Sequence, residues 1–335
     1  MSLPTNDLRP LALGELIDRS ATFWRKHLKQ LFALYLGFSV VAYILSKSLQ
    51  LAMQRSMVAM QGLASGQGDT EALLLEYGRF WLVLGGTLLG TFWLYWMASL
   101  VAARYVVPTQ LGEPVRLSES FHRGLKKLGT FTGAYLLSLL WAVGANLLMA
   151  LPGGLAAGAG AAVLAASDGT GGRMVGGVLL VGGVLLVGLG MLGGLLWYLL
   201  RFSLLPPVLA LEELSAVKAF KRSGELLSGR VAPGFTGRVK VRAMILVTVV
   251  SAILMAVSLV SGLPALIIQF AYRNPLEPLA MVNNPVPQAL LVPAELLQVV
   301  GQAVFTPLGL VFYAMFYLDM RVRREGLDLE RQLEA

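Results

Sequence analysis

Six long apolar runs constrain this chain more than any other feature. They cover roughly residues 31–53, 80–103, 131–151, 175–200, 241–263 and 289–318. A helix rises about 1.5 Å per residue, so about 20 apolar residues cross about 30 Å of hydrocarbon, and each run reaches that length. The sequence therefore predicts an all-α fold, an integral membrane bundle of six transmembrane helices.

The composition agrees with a membrane protein. Hydrophobic residues make up 56% of the 335 residues and charged residues 14%, and the mean hydropathy is +0.69, a combination that soluble domains rarely reach. The absence of cysteine excludes disulfides, thiolate metal sites and cysteine nucleophiles. The net charge of +8 is spread over short loops beside the apolar runs, as membrane topology requires, so we expect no nucleic-acid partner.

The distribution of Lys and Arg predicts the orientation. Of the 27 such residues, only Arg55, Arg79, Arg173 and Arg273 fall in the loops of one side, and Lys47 lies within a span. Cytoplasmic loops carry the excess of positive charge. We therefore expect a multi-pass protein of a bacterial inner membrane, with the N- and C-termini both cytoplasmic.

Three amphipathic segments precede the first, third and fifth spans. In the first, Leu13, Ile17, Trp24, Leu28 and Leu31 share one helical face and charged residues the opposite face. The second and third segments repeat this pattern with the following apolar faces: Leu117, Phe121, Leu125 and Leu128; Ala216, Phe220 and Leu227. Such helices are typical of the membrane–water interface, so we expect three cytoplasmic amphipathic interfacial helices.

The three segments align on a short common pattern of an apolar residue, a polar residue, Arg and a small residue. It reads IDRS at 17–20, FHRG at 121–124 and FKRS at 220–223. Because each segment is followed by two apolar runs, we expect one membrane domain with a pseudo-threefold repeat of a surface helix and two spans. The units are about 8–107, 112–210 and 211–320, followed by a charged cytoplasmic tail at 321–335.

The basic residues of these segments and of the last span end are candidates for contact with anionic lipid headgroups or a protein partner. The alternative is that they are a solvated polar face and a stop-transfer cluster. The candidates are Arg19, Lys26, Arg123, Lys126, Lys127, Lys221, Arg222, Arg321, Arg323 and Arg324.

The third and fourth spans are rich in glycine, with 15 glycines between residues 153 and 194. Gly176, Gly183 and Gly190 recur every seven residues, and Gly154 and Gly158 have small-xxx-small spacing. Flat glycine faces let two helix backbones approach closely, so we expect the packing centre of the bundle here. The alternative is that glycine is simply common in membrane helices.

The apolar stretch 131–166 would be about 54 Å long as one helix. We therefore expect a break at Pro152, Gly153 and Gly154, where proline and glycine favour a kink. The segment 153–166 is then either re-entrant or a short outer helix.

Polar residues within apolar runs are costly and point to function. On the first span Lys47 and Gln50 lie at helical spacing, and on the sixth Glu295, Gln298 and Gln302 do the same. One hypothesis pairs Lys47 with Glu295 at the mouth of an outward cavity, and the alternative is that both mark span ends in the headgroup zone. The candidate intramembrane polar pathway comprises Lys47, Asn146, Glu295, Gln298 and Gln302.

Enzymatic chemistry is not expected. General acid–base work needs carboxylates or histidines that converge in a pocket, whereas the two histidines, His27 and His122, lie beside lysines in the amphipathic segments. No HExxH, phosphate-binding loop or GxSxG pattern occurs. We expect no catalytic residue, no bound metal and no cofactor.

Two motifs near the chain ends carry a resemblance. LRPLALGELIDR at 8–19 and YLDMRVRREGLDLE at 317–330 resemble the bacterial membrane proteins classed as glycerophosphoryl diester phosphodiesterase membrane domain or as related uncharacterised families. The match departs from the family pattern by an inserted Leu318 and by Met320 in place of a leucine. The resemblance implies an all-helical membrane module that lacks the family's separate, soluble catalytic barrel.

Two functions fit these features. The leading hypothesis is a non-enzymatic inner-membrane protein, a membrane-embedded subunit or scaffold in an envelope or lipid-linked process, whose basic cytoplasmic surface docks a partner. The alternative is a transporter or lipid-handling protein that uses the glycine-rich spans and the polar stripes of spans 1 and 6.

Overall fold

The structure, a computed structural model, describes residues 9–66, 69–113, 115–167, 169–235, 237–272 and 286–327. Within these ranges the chain forms α1 (Leu13–Lys26), α2 (Leu28–Ala64), α3 (Thr70–Gln110), α4 (Leu117–Lys126), α5 (Leu128–Ala166), α6 (Thr170–Phe202), α7 (Leu205–Leu211), α8 (Ala216–Leu226), α9 (Val239–Tyr272) and α10 (Gln288–Glu325). Arg273 and the part of the predicted tail beyond residue 327 lie outside the described residues.

The prediction of an all-helical protein with six apolar spans is confirmed for the described residues. The candidate spans are α2, α3, α5, α6 with α7, α9 and α10, and the protein is therefore a multi-pass membrane protein. Several helices are longer than the predicted spans. For example, α3 begins at Thr70, capped by Asp69, whose carboxylate accepts a hydrogen bond from the Glu71 N–H, because helical hydrogen bonding continues past the apolar run.

The helices divide into two compact units, Lys126–Met244 and the remainder of the chain. In the larger unit α10 is the central helix and packs against α1, α2 and α3. Its second half is almost wholly buried, from Pro307 to Met320 with the exception of Tyr313. Gly326 ends the helix at φ +64°, a left-handed conformation that glycine adopts without strain.

The smaller unit is built on a glycine seam between α5 and α6. A Cβ atom at Gly183 would lie 2.2 Å from the backbone N of Ala157, and one at Gly190 would lie 2.2 Å from the carbonyl oxygen of Met149. From the α5 side, a Cβ at Gly153 would lie 2.4 Å from the backbone N of Val187. Any larger side chain at these positions would push the helices apart, so the predicted close approach of two backbones along the stripe is seen between α5 and α6. That this seam is the packing centre of the bundle stays a prediction.

Two predictions about the glycine-rich region are wrong. The α5 helix runs without interruption from Leu128 to Ala166 with Pro152 inside it, so 153–166 is neither re-entrant nor a separate helix. The close fit of Gly153 and Gly160 against α6 gives the far half of α5 a packing surface and stabilises it as a helix. A Cβ atom at Gly154 or Gly158 would meet no atom of the described residues within 4 Å, so these two glycines take no part in the seam.

The three short helices α1, α4 and α8 coincide with the amphipathic segments, and the residues that they bury within the protein lie mostly outside the apolar faces predicted to rest on the membrane. The buried residues are Leu16, Ser20 and Phe23 in α1, Ser120 and Gly124 in α4, and Ala219, Ser223 and Leu226 in α8. The last residue of the shared pattern, Ser20, Gly124 or Ser223, is buried in every case. Large residues of the predicted apolar faces, such as Phe121, stay exposed, at 41% for Phe121. Small residues fit against neighbouring helices, and the bulky ones remain on the outside.

Candidate functional site

A polar cavity of about 450 Å³ lies between α2, α3 and α10 in the larger unit. At its wall the Lys47 ammonium contacts both carboxylate oxygens of Glu295, at 2.8 and 3.0 Å. The two side chains are only 18% and 15% exposed. The Tyr43 hydroxyl donates a further hydrogen bond of 2.9 Å to the same carboxylate. An ion pair with a third hydrogen bond is therefore held between two candidate spans.

Three glutamines line the same cavity. Gln50 lies on α2, and Gln298 and Gln302 lie on α10. Each amide carries two N–H donors and a carbonyl acceptor. The wall thus offers donors, acceptors and charges of both signs to one space.

The lining residues of α2 follow one helical face, namely Tyr35, Ser39, Ala42, Tyr43, Ser46, Lys47 and Gln50. From residue 35 to residue 50 the helix rises about 22 Å. That length is a large fraction of the roughly 30 Å hydrocarbon thickness. The cavity therefore extends along much of a span, beyond the level of the ion pair.

Close packing of α9 supports the wall formed by α10. A Cβ at Gly262 would lie 3.2 Å from Nε2 of Gln298, and a Cβ at Gly301 would lie 2.8 Å from the Cβ of Ser261. Glycine at these two positions lets α9 approach the helix that carries Glu295 and the glutamines. Gln298 therefore contacts α9 as well as lining the cavity.

Four residues of the predicted polar pathway come together, and Asn146 does not. Asn146 lies in the smaller unit, where its side-chain amide donates a 2.8 Å hydrogen bond to the Ala142 carbonyl. Its Oδ1 lies 2.6 Å from the position a Cβ would take on Gly194. The amide thus hydrogen-bonds within its own helix and packs on the glycine seam, and Asn146 is not among the residues that line the cavity. Its place in a polar pathway stays a prediction.

The lining also contains residues that sequence reasoning missed. Tyr43, Ser39 and Tyr35 lie four, eight and twelve residues before Lys47 on the same face, and Thr91 joins them from α3. Extending the helical period backwards from Lys47 would have identified the residues on α2. Thr91 carries no such signal, because its place depends on how α3 packs.

The ten basic candidates divide into three groups. Lys127, Arg222 and Arg323 make contacts within the fold: Lys127 with Glu213 at 2.9 Å, Arg222 with Glu212 at 3.1 Å and Arg323 with Asp319 at 3.0 Å. Arg19, Arg123 and Arg321 pair with glutamates on their own helices. Lys26, Lys126, Lys221 and Arg324 are exposed. The surface available to a lipid or a partner is therefore smaller than the sequence suggests.

A buried polar joint connects the two end motifs. The Asp319 carboxylate, 0% exposed, accepts a 2.9 Å hydrogen bond from the Leu11 N–H and pairs with Arg323. The Arg323 guanidinium in turn donates a 2.6 Å hydrogen bond to the Leu11 carbonyl. The segment before α1 is thus fixed to the end of α10 through both of its backbone polar groups at residue 11.

His27, between α1 and α2, is part of an aromatic contact. Its ring stacks on Phe23 at 4.3 Å, and Nδ1 lies 2.7 Å from the Tyr105 hydroxyl. Burial, followed by the nearby charge of Lys26, lowers the pKa of His27 below its usual 6.5. The neutral ring is therefore favoured at neutral pH.

Within the described residues, no group of three or more His, Cys, Asp or Glu side chains is placed to hold a metal ion.

Comparison with protein-family models, curated proteins and solved structures finds no match. The resemblance of the two end motifs stays a prediction.

Proposed function

We propose that this protein is a lipid- or solute-handling membrane protein that binds the polar part of its ligand in the cavity between α2, α3 and α10. The observation that carries the proposal is the Lys47–Glu295 pair, which faces that cavity from two candidate spans. Charged residues inside membrane spans are costly and are found mainly along ligand or ion pathways.

The cavity has the size and chemistry of a ligand site. Its volume of about 450 Å³ falls within the roughly 300–1,000 Å³ that small-molecule sites occupy. The three glutamines and the ion pair can hydrogen-bond hydroxyl, amine and phosphate groups alike. Such a lining suits a lipid headgroup or a polar solute and disfavours a purely apolar ligand, which would leave the amides unsatisfied.

The function can be tested by thermal unfolding of the purified protein with short-chain phosphatidylethanolamine and phosphatidylcholine. We expect at least one of them to raise the melting temperature. Gln302→Leu, which removes a lining amide at nearly constant volume, should abolish the rise. Gln30→Leu, the same change at an exposed position of α2, is the matched control. Equal stabilisation of both variants would contradict ligand binding in the cavity.

A second candidate function is the non-enzymatic scaffold, a membrane-embedded subunit in an envelope or lipid-linked process. The exposure of Lys26, Lys126 and Lys221 on the three short helices favours it, because exposed positive charge attracts acidic partners. Purification in mild detergent should retain a stoichiometric protein partner, and substitution of the three lysines by glutamine should release it. Recovery of the chain alone, at any salt concentration, argues against the scaffold.

The proposed topology places α1, α4 and α8 at the cytoplasmic interface of a bacterial inner membrane as parts of a threefold repeat. The exposed apolar residues Phe121 and Leu125 beside the exposed Arg123 support this position, since an interfacial helix contacts acyl chains and headgroups together. A reporter protein that is active only in the cytoplasm, fused to the C-terminus, should be active. Activity on the opposite side would reverse the orientation.

A further inference from the structure

A second, smaller site lies at the end of α6 in the Lys126–Met244 unit. The Arg201 guanidinium is 5.5 Å from the ring centre of Trp141, 5.4 Å from that of Trp197 and 5.8 Å from that of Phe202. Aromatic faces attract a cation, and guanidinium groups stack on them readily. Three rings together fix where the positive charge of Arg201 lies.

A second cation faces the same pocket. Lys240, in the first turn of α9, lines a space of about 90 Å³ together with Arg201, Ser228 and Gly224. None of the described residues that line the pocket is acidic. Within the described parts of the chain, neither Arg201 nor Lys240 pairs with a carboxylate. Two like charges at one pocket repel each other, and a bound anion would convert that repulsion into attraction.

The size of the pocket selects the kind of anion. About 90 Å³ is the share of about three water molecules in the liquid, enough for one phosphate group and too small for a whole phospholipid. If the phosphate of a phospholipid occupied this pocket at the end of a candidate span, the acyl chains of the lipid would lie outside it, along the apolar face of α6. Leu192, Leu195 and Leu196 of that helix are 43–53% exposed.

We infer that this pocket binds the phosphate group of an anionic phospholipid, with Arg201 and Lys240 as its two charged contacts. Arginine binds phosphate through paired N–H donors, and lysine acts as a point charge. This pocket shares no lining residue with the cavity between α2, α3 and α10, so an experiment can contradict one of the two proposed sites and leave the other standing.

The test is native mass spectrometry of the full-length protein in detergent with dioleoyl phosphatidylglycerol or dioleoyl phosphatidylcholine. The wild-type protein should bind the anionic lipid more tightly. Arg201→Gln and Lys240→Gln should each weaken that binding by about tenfold or more, because each removes a charged hydrogen bond. Lys218→Gln, the same change of charge at another exposed position of α8, should leave it unchanged. Equal weakening by all three variants would show general charge attraction and overturn the site.

Gly224→Leu provides a test that keeps both charges. A Cβ at Gly224 would lie 3.6 Å from Nε of Arg201, so a longer side chain fills the pocket. This variant should lose the preference for phosphatidylglycerol while it keeps the wild-type melting temperature in lipid-free detergent. Retained preference would contradict the pocket. Displacement of the lipid by millimolar inorganic phosphate would identify a free-anion site and overturn the lipid assignment.

Discussion

The ion pair between Lys47 and Glu295 gives the sharpest energetic prediction. Breaking a fully buried pair by removing one partner costs about 3–5 kcal/mol, whereas an exposed pair contributes about 0.2–1 kcal/mol. Side chains that are 18% and 15% exposed, joined at 2.8 Å, lie near the buried end of this range. We expect Lys47→Glu and Glu295→Lys each to reduce the free energy of unfolding by about 2–3 kcal/mol.

The double variant, with the two charges exchanged, should recover most of that loss because the attraction is restored. The measurement is equilibrium unfolding by increasing fractions of sodium dodecyl sulfate in mixed micelles, with the four proteins compared as a double-mutant cycle. A coupling energy of about 2 kcal/mol or more supports the pair. Single variants with wild-type stability, or a double variant whose loss equals the sum of the two single losses, would refute the reasoning.

Three further predictions concern packing and pH. Gly183→Ala should destabilise the protein by about 1–3 kcal/mol or more in the same unfolding assay, because a Cβ there would meet the α5 backbone at 2.2 Å. Gly154→Ala is the control and should leave the stability unchanged, because a Cβ there would meet no atom within 4 Å in the described part of the chain. The pKa of His27 is lowered in the folded protein, so the ring takes up a proton on unfolding at low pH, and the free energy of unfolding should fall as the pH drops below about 6.5. His27→Gln should therefore flatten the plot of melting temperature against pH between pH 8 and pH 5. An unchanged slope in this variant would contradict the assignment to His27. Asp319→Asn should lower the free energy of unfolding by about 3 kcal/mol, because it leaves the mostly buried Arg323 without its carboxylate. Arg321→Gln, which breaks a more exposed pair, should be nearly neutral. Equal effects of the two variants would contradict a stabilising role for the Asp319–Arg323 pair.

The spans and the glycine seam were predictable because both depend on local spacing. Apolar length alone identifies a helix that crosses a bilayer, and glycine at every seventh residue marks a flat stripe wherever the partner helix lies. The break at Pro152 was predicted wrongly for a related reason. Proline weakens an isolated helix, but Gly153 and Gly160 give that helix a tightly fitting neighbour, and packing of this kind is invisible without the partner.

The polar site was predictable only in part. Lys47 and Glu295 are conspicuous because charges are rare in apolar runs, and opposite charges at similar depth suggest a pair. Asn146 was equally conspicuous, yet its amide bonds to the carbonyl of Ala142 on its own helix. Sequence spacing cannot separate an amide that satisfies itself from one that faces a cavity. The pocket beside Arg201 was missed because Lys240 and Trp141 are distant from Arg201 in sequence, although Trp197 and Phe202 are close to it.

The central claim, a polar ligand cavity reaching along α2 and α10, can be tested by cysteine labelling. The chain contains no cysteine, so a single introduced cysteine supplies the only thiol. A charged methanethiosulfonate reacts with its thiolate, which forms only where water reaches the side chain. Gln298→Cys and Gln302→Cys face the cavity, whereas Leu297→Cys replaces a 56% exposed apolar residue on another face of the same helix. We predict fast labelling at 298 and 302 in membranes and slow labelling at 297. Equal rates at the three positions, or slow labelling at all of them, would contradict the cavity.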